Sequence, residues 1–143
     1  MEIRELTPLY SVSPQIVPED VPAIAASGFS TVICNRPDIE VPPDIQMSVL
    51  RKSVEAAGLE FVDNPVDGRA MSLQNVEIQK SCLGREGRPV LAYCASGTRS
   101  AVMWALASAG TAPTVEILDI AARAGFQIDG LRSQIDALAG SQR

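Results

Sequence analysis

The chain has 143 residues, the length of a single domain able to bury a hydrophobic core, and its composition of 46% apolar, 4% aromatic and 20% charged residues excludes a disordered protein. No apolar run approaches the ~20 residues of a membrane helix, and Glu2 and Glu5 stand where a signal peptide needs apolar residues, so a soluble, cytoplasmic protein without membrane contact is expected. Twelve basic against seventeen acidic residues give a net charge of −5, which removes the electrostatic footprint of a general nucleic-acid binder and leaves local capture as the way to hold an anion.

Leu9–Ser13 alternates apolar and polar residues after Tyr10 and predicts a first, peripheral strand. Pro18–Ser27, with proline and acids in its first turn and Gly28 at its end, predicts a short helix. The β-branched run Phe29–Asn35 predicts a buried strand broken by the Asn35-Arg36-Pro37-Asp38 sequence. Pro43–Ala57 carries Met47, Leu50, Val54 and Ala57 at helical spacing and ends at Gly58; Leu59–Pro65 is the next strand.

Ser72 caps a third helix that runs to Leu83, Gly84–Arg88 turns, and Pro89–Cys94 is the most uniformly apolar strand. The helix from Thr98 to Gly110 is apolar on nearly all sides between Ala101 and Ala107, as a central helix packed between a sheet and other helices must be. Thr114–Ala124, with Val115, Leu118 and Ala122 on one face and Gly125 as its stop, and Ile128–Leu138 complete the helices. Gly140–Arg143 reads as a frayed tail. Strands alternating with helices predict one α/β domain over residues 1–143, with a mainly parallel sheet and helices on both faces.

The absence of histidine removes imidazole bases and every zinc site that uses His. Cys34, Cys82 and Cys94 are an odd number without a Cys-x-x-Cys pair, which argues against a disulfide scaffold or a four-sulfur metal site. Neither a metal nor an organic cofactor is expected. Chemistry concentrates where the strand Pro89–Cys94 meets the central helix. In an open α/β sheet ligands sit at the carboxyl ends of strands, which is where Cys94 stands, followed by the loop Ala95, Ser96, Gly97 and Thr98 and then by Arg99 and Ser100. A loop of consecutive N–H groups feeding a helix N-terminus is an anion cradle, and its positive potential favours a thiolate over a thiol. Gly97 permits positive φ, Arg99 offers a permanently charged fork to an oxyanion, and Ser100 can donate to the sulfur. Together these make an activated nucleophile without a histidine base.

The segment from Cys94 to Ser100 resembles the anion-binding loop of cysteine-dependent phosphatases and rhodanese-like sulfurtransferases. With Val32–Glu40 (VICNRPDIE), Leu59–Val66 (LEFVDNPV) and Pro89–Leu106, in that order, the chain resembles more narrowly the phosphatase-like domain of the beta-lactamase-hydrolase-like proteins, from about Tyr10 to Leu131. The resemblance implies the fold of the dual-specificity phosphatases. In some relatives it also implies fusion to a persulfide dioxygenase, which makes such an enzyme a candidate partner.

One departure bears on the chemistry. Four residues separate Cys94 from Arg99, one fewer than in typical tyrosine and dual-specificity phosphatases, and Tyr93 stands where those enzymes carry a histidine. The shorter loop matches single-domain rhodaneses and offers fewer donors to the three equatorial oxygens of a phosphoryl group. The first expectation is therefore transfer of sulfane sulfur from thiosulfate or a low-molecular-weight persulfide to a thiol acceptor through a Cys94 persulfide. The alternative is phosphate-ester hydrolysis through a phosphocysteine, and a third reading is a non-catalytic anion or redox sensor. Asp63 and Asp67 precede Cys94 at the remove where a phosphatase carries its general acid, although the Asp67-Gly68 pair reads locally as a turn first. Arg36 should edge the same mouth, holding substrate or pairing with Asp38. Cys34 is expected in the core, Cys82 at or near the surface as an inert thiol, and Trp104 in the core.

Overall fold

Apolar, β-branched segments become strands here because both faces of the sheet are covered. In the computed structural model of the chain, which describes residues 2–67, 71–83 and 87–141, the strands are β1 (Arg4–Thr7), β2 (Tyr10–Ser13), β3 (Thr31–Cys34), β4 (Glu60–Asp63) and β5 (Val90–Tyr93). They form one sheet in the order β1-β2-β5-β3-β4. All pairings are parallel except that of β1 with β2. The inner strands β2, β3 and β5 are buried along their whole length, as parallel strands between two helical layers must be. β2 was expected at the periphery. It lies inside because β1 takes the edge, a four-residue segment whose exposed Arg4 and Glu5 gave no strand signal.

Four helices pack on one face of the sheet: α3 (Leu73–Cys82), α4 (Thr98–Ala107), α5 (Thr114–Arg123) and α6 (Arg132–Ser141). Their core includes Val12, Ile33 and Ala92 of the strands with Met103, Trp104, Ile117 and Ile135 of the helices. α4 is the central helix, with Ala101 and every residue from Met103 to Ala107 buried. The opposite face is covered by α1 (Val21–Ala26) and α2 (Met47–Ala56), whose Ile24, Leu50 and Val54 pack on Val32, Cys34, Leu91 and Tyr93.

Several helical expectations are corrected in detail. Where prolines open the segments at Pro18 and Pro43, a 3-10 turn precedes the α-helix proper, over Pro18–Asp20 and Pro43–Ile45. Another 3-10 turn, Asp129–Leu131, leads into α6. α5 buries Ile117, Leu118 and Ala121, while Val115 is 61% exposed, so the apolar stripe is rotated from the one expected. The expected frayed tail is helical through Gly140 and Ser141. Cys82 is buried rather than superficial, and Cys34 and Trp104 are core residues. Of the expected turns, residues 84–86 and Gly68 lie outside the described residues.

Strand register prepares the site. Ser13, Tyr93, Cys34 and Asp63 stand in one row at the carboxyl end of β2, β5, β3 and β4. The ladder continues one step further: Cys94 N–H donates to Ser13 O (3.4 Å), Asn35 N–H to Tyr93 O (2.9 Å) and Asn64 N–H to Cys34 O (2.9 Å). Side chains alternate faces along a strand, so Cys94, Asn35 and Asn64 follow one another across the sheet on the face opposite Tyr93 and Cys34.

Candidate active site

Cys94 ends the central strand and is 1% exposed, whereas Ala95, Ser96 and Thr98 lie at the surface. The chain rises from the sulfur and turns back into α4. The turn is made by Gly97, the N-cap of α4, at φ 97°. Its N–H points inward and donates to Cys94 Sγ at 3.1 Å. A Cβ at position 97 would meet the Phe126 ring at 3.3 Å in a backbone conformation L residues avoid, so the turn requires glycine on two counts. The N–H groups of Arg99 and Ser100 make none of the protein's hydrogen bonds among the described residues. They remain as donors at the helix N-terminus, beside the sulfur.

Arg99 has five N–H donors, and the described residues take three. Nη1 donates to Glu40 Oε2 (3.0 Å) and to Val66 O (2.9 Å), and Nη2 to Glu40 Oε1 (2.9 Å). What remains is the side fork of Nε and one Nη2 proton, the bidentate edge an oxyanion can take. Hydrogen bonding to Glu40 raises the Arg99 pKa, and the charges of Cys94 and Asp67 add to the shift. Glu40 lies in the 3-10 turn Asp38–Glu40 after β3. Hydrogen bonding from Arg99 lowers its pKa, with Arg36 adding to the effect against a desolvation cost.

The remaining candidates separate clearly. Arg36 does not pair with Asp38; its Nε bonds Glu40 Oε1 (3.2 Å), with Gln15 Oε1 and Glu40 O as further acceptors. It therefore holds the carboxylate that holds Arg99. Asp38 instead accepts from Met47 N–H at 2.8 Å, at the start of α2. Asp67 is exposed and near enough to Arg99 for its charge to be felt there. Asp63 ends the edge strand β4, two strands from β5, and is tied to Arg51 Nη2 at 2.8 Å. Asp67 is thus the candidate acid whose charge reaches Arg99, while Asp63 is held by Arg51 at the edge strand. Ser100 is buried, and among the described residues its Oγ bonds Asn35 Nδ2 (3.0 Å) rather than Cys94 Sγ.

Sequence reasoning gave no role to Glu40, Val66 or Asn64. Glu40 follows Arg36 by one helical turn, an ion-pair spacing, but its partner Arg99 is far along the chain. Asn64 is a polar residue at the end of an apolar strand, the kind of position where burial needs a specific partner.

With this geometry in view, the comparisons are informative. Residues 2–111 match the model of the beta-lactamase hydrolase-like protein, phosphatase-like domain. The chain belongs to this family. It is 34% identical to a Neisseria meningitidis protein crystallised as a candidate phosphatase, which superposes with a TM-score of 0.80 over 96% of this chain and 99% of that one. A beta-lactamase hydrolase-like protein of Agrobacterium fabrum is 27% identical over 90% of this chain and 30% of its own length. The chain therefore spans less than a third of that curated relative. The active form of Tk-PTP, 19% identical, superposes with a TM-score of 0.76 over 99% of this chain and 97% of its own, which shows the shared fold of the cysteine-dependent phosphatases. No helix among the described residues is long and apolar enough to cross a membrane.

Proposed function

We propose that the domain is a cysteine-dependent hydrolase of phosphate esters. The observation that carries this reading is the placement of Cys94 Sγ under the Gly97 N–H and beside Arg99, on a fold and in a family described by phosphatase likeness. The sequence led with sulfur transfer; a matched family model that is phosphatase-like and structural neighbours described as phosphatases support phosphate-ester hydrolysis ahead of it.

In the proposed reaction the phosphoryl group sits against the loop N–H groups and the free Nε/Nη2 edge of Arg99. Cys94 Sγ attacks phosphorus, an S–P bond forms, and the P–O bond to the leaving group breaks as Asp67 gives that oxygen a proton. Water then attacks phosphorus, returning a proton to Asp67 and releasing inorganic phosphate and the thiolate. Glu40, Arg36 and Val66 O keep the guanidinium in place throughout.

One observation favours sulfur transfer as a second reading. The loop holds four residues between Cys94 and Arg99, a smaller cradle that suits an attack on sulfur. Cys94 would take the outer sulfur of thiosulfate, the S–S bond would break with release of sulfite, and an acceptor thiolate would remove the sulfur. No proton donor is needed.

Mass spectrometry of acid-quenched protein separates the two. A phosphate ester should leave a phosphocysteine of roughly +80 Da on Cys94, absent from Cys94→Ser. A gain of roughly 32 Da from thiosulfate without ester turnover would install the sulfur-transfer reading instead.

A further inference from the structure

Next to the anion loop lies a buried chain of amides that the proposed reaction does not use. Asn35 and Asn64 are both 0% exposed, as is Ser100. Asn64 Nδ2 donates to Asn35 Oδ1 (3.1 Å) and to Asn75 O (3.1 Å), while Asn64 Oδ1 accepts from Asn75 Nδ2 (2.8 Å). Asn75 Nδ2 also donates to Pro65 O (3.1 Å), and its Oδ1 accepts from Ser72 N–H at the cap of α3. At the other end Asn35 Nδ2 donates to Ser100 Oγ (3.0 Å) in α4.

The direction of these bonds is forced. Turning the Asn64 amide over would set its oxygen against two acceptors, Asn35 Oδ1 and Asn75 O, and its nitrogen against the Asn75 donor. The series therefore runs one way, from the cap of α3 through the end of β4 and the end of β3 to the first turn of α4.

The backbone shows what this series holds. Val66 N–H donates to Asn35 O (3.1 Å), and Val66 O is the acceptor that fixes Arg99 Nη1 at 2.9 Å. The segment from Asn64 to Asp67 is thus pinned at Asn64 by its side chain, at Pro65 by Asn75 and at Val66 by Asn35, and it grips the arginine of the cradle. Buried amides of this kind are costly unless every partner is present, and once satisfied they specify one geometry.

We infer that Asn64 is a positioning residue for the anion loop: through Asn35 and Val66 it sets where Arg99 and Ser100 stand relative to Cys94. The inference rests on the anion-binding reading of that loop.

The test is the affinity of the folded domain for inorganic phosphate, measured by titration calorimetry alongside melting temperature. Asn64→Ala should weaken phosphate binding at least tenfold. Asn75→Ala, at a half-buried position where folding is less at risk, should weaken it less and in the same direction. Val54→Ala in the opposite core serves as the control: it should lower the melting temperature and leave affinity unchanged, because destabilisation alone does not move the arginine. Wild-type affinity in both asparagine variants, or an equal loss in Val54→Ala, would overturn the inference while leaving the anion loop intact. A wild-type protein that binds no phosphate up to millimolar concentrations would overturn the anion-binding reading, and this inference with it.

Discussion

The buried asparagines beside the anion loop and the buried ionisable groups on the opposite face of the sheet are treated in opposite ways. On the α3 and α4 side, the amides of Asn35 and Asn64 are completely enclosed, and each amide oxygen and each amide nitrogen has a hydrogen-bond partner. On the α1 and α2 side, the Tyr93 hydroxyl and the Cys34 thiol lie together under Ile24, Leu50 and Val54. There, among the described residues, the thiol lies 3.3 Å from the Arg36 carbonyl and against the Tyr93 hydroxyl, whose contact with the sulfur falls short of an ordinary hydrogen bond. The first face spends stability on geometry and gains a fixed cradle. The second holds ionisable groups in neutral form and gains an apolar support for the strand that carries Cys94.

The largest effect expected from breaking the first face is at Arg99. A lysine at 99 cannot serve Glu40, Val66 O and a ligand together, because it offers a point charge where the guanidinium commits one fork to Glu40 and keeps another for an anion. Turnover of an aryl phosphate by Arg99→Lys should fall by about a hundredfold or more, with a modest fall in melting temperature because the Arg99–Glu40 pair is half-buried. Activity near wild type would show that the fork is not used on substrate.

The carboxylates sharpen the same side. Asp67→Asn should lose about a hundredfold on an ester with a poor leaving group, where the departing oxygen needs a proton. Asp63→Asn should stay within about threefold, because Asp63 is occupied with Arg51 on the edge strand. Equal retention by both variants on phosphate esters would remove the general acid from the mechanism. If sulfur transfer from thiosulfate were the native activity, neither substitution should matter to it.

Which parts were legible in the sequence follows from how far each contact reaches. The cradle could be read because strand, cysteine, glycine, arginine and helix are contiguous between Val90 and Ala107. The parallel strands announced themselves by apolar runs that only a two-sided sheet explains. Glu40, Val66 and Asn64 escaped because their roles exist only where β3, β4 and α4 meet. β1 escaped because two of its four residues are charged and exposed, as an edge strand permits. The two candidate acids could not be told apart along the chain. The packing of α2 on the edge strand distinguishes them, since it brings Arg51 to Asp63, while the charge of Asp67 is felt at Arg99.

The second face makes its own prediction with pH. Burial raises the Cys34 thiol pKa from 9.0 to about 11, and burial likewise raises Tyr93 well beyond its ordinary range. A folded-state pKa above the unfolded one means that the folded protein keeps its proton while the unfolded chain releases it. The stability this contributes is whole below about pH 9 and is lost as pH rises toward 11, by about 2 to 3 kcal/mol for a shift of this size. Urea denaturation across that range should show the decline, and Cys34→Ala should flatten it from a lower starting stability. A slope unchanged by Cys34→Ala would mean that the thiol is not the group responsible.

The smallest expected effect is the most direct comparison of the two faces. Among the described residues the Tyr93 hydroxyl is enclosed with the Cys34 sulfur against it, short of an ordinary hydrogen bond, so the folded state forfeits the hydrogen bonds to water that the unfolded chain keeps. Tyr93→Phe keeps the ring between Leu91 and the α2 side chains and deletes only the unpaired oxygen. It should stabilise the protein by about 1 kcal/mol and, by removing an ionisable group, further reduce the loss of stability at high pH. The matched change on the other face, Asn35→Leu, also replaces a buried polar group with an apolar one, but it strands the Asn64 amide donor and the Ser100 hydroxyl. That variant should be destabilised. If both substitutions moved stability in the same direction, the contrast between the satisfied asparagines and the unsatisfied Tyr93 hydroxyl would be wrong, and the asparagines would owe their positions to packing alone.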